Sequence, residues 1–185
     1  MKHLLVILWL VLFSQEFLFS QAIHKSGDTT ALHKLKVGRK LFYDNIPRHV
    51  KWTNDFEKLY TDKQKHQLDS AITAFDNKTT IEISIITLDT LCTSKANFDS
   101  TILHVAQVWA ERSRDKSNGV LIGISKSCKK IRIQNSVGVE MIINNDETKK
   151  IIDSNFIPYF RKGDYFGGTM SGLLQIMQVI NEKLK

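Results

Sequence analysis

The sequence predicts an α/β protein, a three-layer α/β/α sandwich around a small mixed sheet of about four strands. Three observations carry this. Ile81, Ile83, Ile85, Ile86 and Leu88 form a β-branched run bounded by polar residues, the pattern of a central strand. Val120, Leu121, Ile122 and Ile124 form a second apolar run between Asn118-Gly119 and Ser125-Lys126-Ser127, as a strand buried on both faces does. Around these runs apolar residues recur at three-to-four spacing, which supplies amphipathic helices to cover both faces of a sheet.

The 185 residues allow one domain plus extensions. At the start, Lys2 and His3 precede the apolar run Leu4 to Phe13, and Ser20-Gln21-Ala22 offers small residues to a signal peptidase. That run is about half the roughly 20 residues of a membrane span. Residues 1–22 therefore read as a cleaved secretory signal, with an uncleaved N-terminal anchor as the alternative. Residues 23–50 read as a basic linker or arm. Between His24 and Lys51 lie Lys25, Lys34, Lys36, Arg39, Lys40, Arg48 and Lys51, against Asp28 and Asp44 only. Such a solvated arm suits a negatively charged membrane surface. The net charge of +7 would also suit nucleic acid, but an exported protein meets little of it, so no nucleic-acid partner is expected.

Residues 51–185 read as the domain, expected to be monomeric. Trp52 to Tyr60 contains an Asn54-Asp55 turn between aromatics. Thr61 and Gln64 fit a capping box, and Leu68, Ala71, Ile72 and Phe75 give the helix that follows one apolar face. After the strand at 81–88, Asp99 or Ser100 can cap a second helix with Ile102, Val105, Ala106 and Trp109 inward. Ser125 to Lys130 suits a hairpin into an antiparallel strand, where Ile131, Ile133 and Asn135 alternate with Arg132 and Gln134. Asp146 is a plausible N-cap for a short helix with Ile151, Ile152 and Phe156, ending before Pro158. Asp164 can cap a last helix with Phe166, Met170, Leu173, Leu174, Met177 and Ile180 on one face. Gly163, Gly167, Gly168 and Gly172 make the start of that helix either loose or closely packed.

Cys92 and Cys128 each follow a predicted strand by a few residues. Parallel strands would put both thiols at one edge, where an oxidising compartment favours a disulfide; two separate small core residues is the other reading. Lys126, Lys129, Lys130 and Arg132 give the hairpin a cationic edge that suits phosphate or an anionic partner. A run of this kind is also what a solvated turn looks like. His104 lies within a helix and reads as structural.

From Trp52 onward the chain resembles the TPM domain family, named for a thylakoid-lumen protein, a photosystem II repair protein and a modulator of levamisole receptors. The resemblance rests on Asn54-Asp55-Phe56, Asn118-Gly119-Val120-Leu121, Gly138-Val139-Glu140, Asn145-Asp146, and Ile157-Pro158-Tyr159-Phe160 with Gly163-Asp164-Tyr165, in the family's order. Ser117 stands where the family often has Asp, and Ser136 where it often has Gly. The resemblance implies an α/β/α sandwich outside the cytoplasm, acid phosphatase activity in some plant members, accessory or assembly roles in others, and an association with a divalent cation, calcium above all.

The residues themselves show no established nucleophilic site. Neither cysteine is followed by the Arg of a phosphocysteine loop, and there is no His-Glu-x-x-His, Gly-x-Ser-x-Gly or Gly-x-x-x-x-Gly-Lys motif. An oxygen-rich set remains, in which Asp55, Asn118, Glu140 and Asp146 are expected to converge on one Ca2+, with Asp115 and Asp164 as further ligands. Against this stand capping roles for Asp146 and Asp164, a turn role for Asn118 and a solvated Glu140. The expected function is an exported TPM-domain protein acting as a binding or accessory module at the cell envelope, toward an unidentified envelope protein or the membrane surface. The alternative is a metal-assisted acid phosphatase acting on phosphomonoesters.

Overall fold

The computed structural model describes residues 29–111 and 118–185. Helix α1 covers residues 29–44. It is followed by β1 (Thr53–Asp55), α2 (Asp62–Thr79), β2 (Glu82–Thr87), α3 (Phe98–Ala110), β3 (Gly119–Ser125) and β4 (Lys130–Asn135). The C-terminal part is α4 (Val137–Glu140), α5 (Asn145–Ile151), a π-helical segment (Ile152–Phe156), α6 (Ile157–Phe160) and α7 (Tyr165–Lys183). The strands form one sheet in the order β1-β2-β3-β4. The first three are parallel and β4 is antiparallel to β3. Among the described residues no helix is long and apolar enough to cross a membrane.

Strand alternation divides the core into two. Ile83, Ile85, Val120, Ile122 and Ile124 pack with Leu68, Ile72 and Phe75 of α2 and with Leu173, Ile176, Met177 and Ile180 of α7. Ile86, Leu88 and Leu121 point the other way, against Phe98, Ile102, Val105 and Trp109 of α3. Each fully buried side chain of this kind contributes about 1.5–3 kcal/mol, so the two faces give the three layers their cohesion. Gly123 of β3 lies beneath Ile102, and a Cβ there would overlap that side chain. The glycine lets α3 approach the sheet closely.

The capping box of α2 forms as its residues predict, with Thr61 accepting from the Gln64 N–H and Gln64 accepting from the Thr61 N–H. Several other expectations are corrected. The Asn54-Asp55 segment belongs to an edge strand, β1, in register with Ile85 to Thr87. Helix α3 starts two residues earlier than the Asp99 cap implies, after Asn97. The cap of α5 is Asn144, which forms a second capping box with Glu147, and Asp146 sits in the first turn.

Pro158 does not end its helix. The π-helical turn before it shifts the hydrogen-bond ladder, with the Ile157 N–H reaching Ile152 O. Pro158 then falls in the first turn of α6, where a missing N–H has little consequence. On α7, Leu174 is exposed instead of inward. The glycines of α7 are of the closely packed kind: a Cβ on Gly172 would overlap the Phe156 ring.

The basic arm is not a solvated linker over its length. Residues 29–44 are helical, and the end of α1 packs on the α3 side of the sheet. Phe42 meets Phe56 edge-on with centroids 5.8 Å apart, Tyr43 stacks on His104 at 4.2 Å, and Ile46 is buried in the α3-side core. Arg39 Nε donates to Thr90 O at 2.9 Å and Trp109 Nε1 to Pro47 O at 2.8 Å. The aromatic contacts, the burial of Ile46 and these bonds outweigh the weak periodicity of the segment.

Candidate functional site

Three parallel strands end at one edge, which is where open α/β sheets place their ligands. Asp55 closes β1 there, opposite Thr87 and, one strand further, Ile124. Its Oδ1 accepts from the Leu59 N–H at 2.9 Å and from the Thr87 hydroxyl, and its Oδ2 accepts from the Tyr60 N–H at 2.9 Å. The carboxylate therefore fastens the β1–α2 loop to the end of β2. Glu57 fastens that loop to the β3–β4 turn: its Oε2 accepts from the Lys126 N–H and its Oε1 from the Ser127 N–H, both at 2.7 Å. Asp164 caps α7, accepting from the Gly167 N–H at 2.8 Å.

A cleft opens between these loops, lined by Glu57, Lys58, Gln64, Lys126, Ser127 and Tyr165 among others. Lys126 Nζ lies 5.7 Å from the Tyr165 ring centroid, within cation–π range. Behind the cleft the Tyr60 and Thr169 hydroxyls share a buried 2.8 Å hydrogen bond. Burial, above all, pushes the Tyr60 hydroxyl far above its ordinary pKa, so it stays protonated. Burial also raises Tyr165, with Glu57 adding to it. The Ser127 hydroxyl faces that of Ser125 at 3.3 Å, a contact that does not activate a nucleophile. The arrangement holds loops rigid and offers a cation and an aromatic face.

The oxygen-rich set is divided between the two ends of the sheet. Asn118 precedes β3 at the opposite edge, where its Nδ2 donates to Thr80 O at 2.9 Å. Glu82 pairs with Gly119 at that end and Thr87 with Ile124 at the other. Five residues of strand separate the two ends by about 17 Å, so Asp55 cannot join Asn118 around one cation, whose oxygens must approach to about 2.5 Å. Glu140, at the end of α4, and Asp146 are both exposed. Asp115 lies outside the described residues, as does Ser117. Among the described residues no group of three or more His, Cys, Asp or Glu side chains is placed to hold a metal. The four residues expected to share calcium thus do not fit it as a set, and Asp55 already spends its oxygens on three donors.

Ser136, a departure from the family pattern, has a structural use: its hydroxyl accepts from the Gly119 N–H at 2.8 Å and ties β3 to the end of β4. The cationic hairpin is also divided. Lys126 stands over Tyr165, Lys130 pairs with Asp99 at 3.1 Å, and Arg132 Nη2 donates to Gln134 Oε1 at 2.6 Å. Alternation along β4 sends Lys130 and Arg132 to the α3 face, so the four cations do not form one anion pocket. Cys92 and Cys128 follow β2 and β3 at the same edge, and both are free thiols, as in the reading of two separate small residues rather than the candidate disulfide. Burial, with Asp89 adding to it, pushes the Cys92 thiol up to about 12. His104 is structural, stacked on Tyr43 with Nε2 3.0 Å from Tyr43 O. Glu57 was not legible as a site residue; the signal was its place, two residues beyond the end of a parallel strand.

Comparison with known proteins bears on the fold and the family. The N-terminal domain of a protein from P. gingivalis, solved in solution, aligns with a TM-score of 0.65 and 23% identity, covering 72% of this chain and 84% of its own. The BA42 protein from the psychrophilic bacterium Bizionia argentinensis aligns with a TM-score of 0.58 and 19% identity, covering 69% of this chain and 86% of its own. At these identities the likeness is one of fold. Comparison with curated proteins finds no match. Among protein-family models, the TPM domain matches residues 53–179, well over half of the chain and the whole span from β1 into α7. The chain belongs to the TPM domain family.

Proposed function

We propose that this chain is an exported accessory module of the cell envelope that works by binding, through the edge where β1, β2 and β3 end. The observation that carries this reading is the employment of the carboxylates there. Asp55, Glu57 and Asp164 accept backbone N–H groups of their own and neighbouring loops. A phosphatase needs a nucleophile or an activated water, with groups left over to serve the phosphoryl oxygens. A binding surface needs rigid loops, and carboxylates used in this way supply them. The export reading rests on Lys2-His3, the apolar run Leu4 to Phe13 and the small residues Ser20 and Ala22, which lie outside the described residues. N-terminal sequencing of the exported chain should begin at Ile23; recovery of an intact Met1 end would favour the anchored alternative.

The discriminating experiment is turnover of a generic phosphomonoester by purified protein, with and without calcium, beside Asp55→Ala and Glu140→Ala. The expected result is no turnover above buffer under either condition. Turnover that Glu140→Ala or Asp55→Ala abolishes while the fold persists would replace this reading with the metal-assisted acid phosphatase. Turnover equal in the parent and both variants would mark a contaminant.

A further inference from the structure

At the edge where the parallel strands end, the acids are engaged by hydrogen bonds or ion pairs, whereas a set of cations stands exposed. Lys58 lies between β1 and α2, Lys95 between β2 and α3, Lys126 and Lys129 in the β3–β4 turn, and Arg161 and Lys162 just before α7; all six are exposed. None of them makes an ion pair within the described residues. The carboxylates of the same loops are occupied. Asp55, Glu57 and Asp164 hold N–H groups as described, Asp89 accepts from the Leu91 and Cys92 N–H groups, and Asp62 and Asp99 are paired with Lys65 and Lys130.

Backbone, apolar surface and the basic helix add to this. Lys58 and Lys129 have φ of 55° and 51°, a left-handed conformation that disfavours a side chain by roughly 1–2 kcal/mol. Glycine or asparagine would sit there more easily, but neither carries charge. Phe56 and Leu91, 38% and 51% exposed, stand among these loops. Helix α1 meets Leu91 and Thr90 with Gly38 and Arg39, and its end meets His104 with Tyr43. It therefore runs beside α3 in the same direction, and residues 29–37 extend beyond the edge by about 13 Å. Those turns carry Lys34 and Lys36, and Leu32 among them is 54% exposed.

We infer that this edge docks on an anionic lipid bilayer, with the loop lysines and the first turns of α1 at the headgroup phosphates and Phe56 and Leu91 entering the interface. The inference rests on the binding reading above and names the partner of that edge. Cations contributed by five separate segments to one side, next to exposed apolar side chains, match a surface whose phosphates are negative and whose interior is apolar.

The test is sedimentation of the purified mature chain with vesicles of phosphatidylcholine alone or mixed with phosphatidylglycerol, at low and high salt. Binding to the mixed vesicles only, weakened by salt, is expected. Lys95→Glu/Lys129→Glu/Lys162→Glu should weaken it more than about tenfold, since each cation near such a surface is worth about fivefold. Lys78→Glu/Lys150→Glu/Lys185→Glu makes the same change of net charge away from this edge and should leave most of the binding. Thermal unfolding of both variants verifies that they are folded. Absence of binding to mixed vesicles, equal binding to neutral ones, or equal loss in the two variants would overturn the inference. The turnover assay uses no lipid, so failure there and failure here are separate results.

Discussion

The two ends of the parallel strands are held together by different chemistry. Where the strands finish, half-buried carboxylates reach across the sequence. Glu57 accepts N–H groups from residues 126 and 127, and Asp55 joins its own loop to Thr87. Where the strands begin, the fastening is by neutral side chains and exposed pairs: Asn118 to Thr80, Ser136 to Gly119, the Asn144–Glu147 capping box, and Lys183 to Glu147 at 2.6 Å. A charged acceptor forms hydrogen bonds about twice as strong as a neutral one. The finishing end accordingly takes more of its cross-loop fastening from charged acceptors. The lesson is that carboxylates within the Asn54-Asp55 and Gly163-Asp164 motifs can serve to hold the shape of loops.

Removing one carboxylate at the finishing end should have the largest effect on this contrast. Asp55→Ala leaves the Leu59 and Tyr60 N–H groups and the Thr87 hydroxyl without their acceptor, and should cost about 3 kcal/mol by urea unfolding. A loss no greater than that of a helix-cap variant would erase the distinction between the ends. Glu57→Ala should cost about 2 kcal/mol and, more tellingly, speed hydrogen exchange at the Lys126 and Ser127 amides. Unchanged exchange there would mean that the β3–β4 turn holds its shape alone. At the starting end, Asn144→Ala removes one cap and should cost about 1 kcal/mol.

The smallest effect is one of pH. The Lys183 ammonium, with the Asn144 N–H, holds the Glu147 carboxyl below its ordinary range. Its contribution to stability is fully present above that ordinary range and is lost as pH falls through the lowered folded value. Glu147→Gln should therefore narrow its stability gap to the parent chain on acidification. A gap that stays constant across the acid range would show that the pair contributes nothing at this exposed end.

The elements were legible wherever a signal was local. Thr61 and Gln64 announced α2, the β-branched run announced β2, and the Asn118-Gly119 entry with the cationic turn announced the β3–β4 hairpin. The misses share a cause. β1 is three residues long and its Asn54-Asp55 reads as a turn until β2 supplies hydrogen-bond partners. Helix α1 looks like a linker until Phe42, Tyr43 and Ile46 find the α3 side of the core. Pro158 looks like a stop until a π-helical turn places it at a fresh helix start.

By itself the sequence determined the α/β/α class, the order of most elements, the caps of α2 and α7, and the family, because capping, periodicity and motif order are properties of neighbouring residues. Only the tertiary structure decided which carboxylates stand together. Strand register carries Asp55 and Asn118 to opposite ends of the sheet, and spacing along a chain contains no record of that. The same register gathers Asp55, Glu57 and Asp164 onto one edge as acceptors for backbone N–H groups, with the lysines of their loops left facing outward.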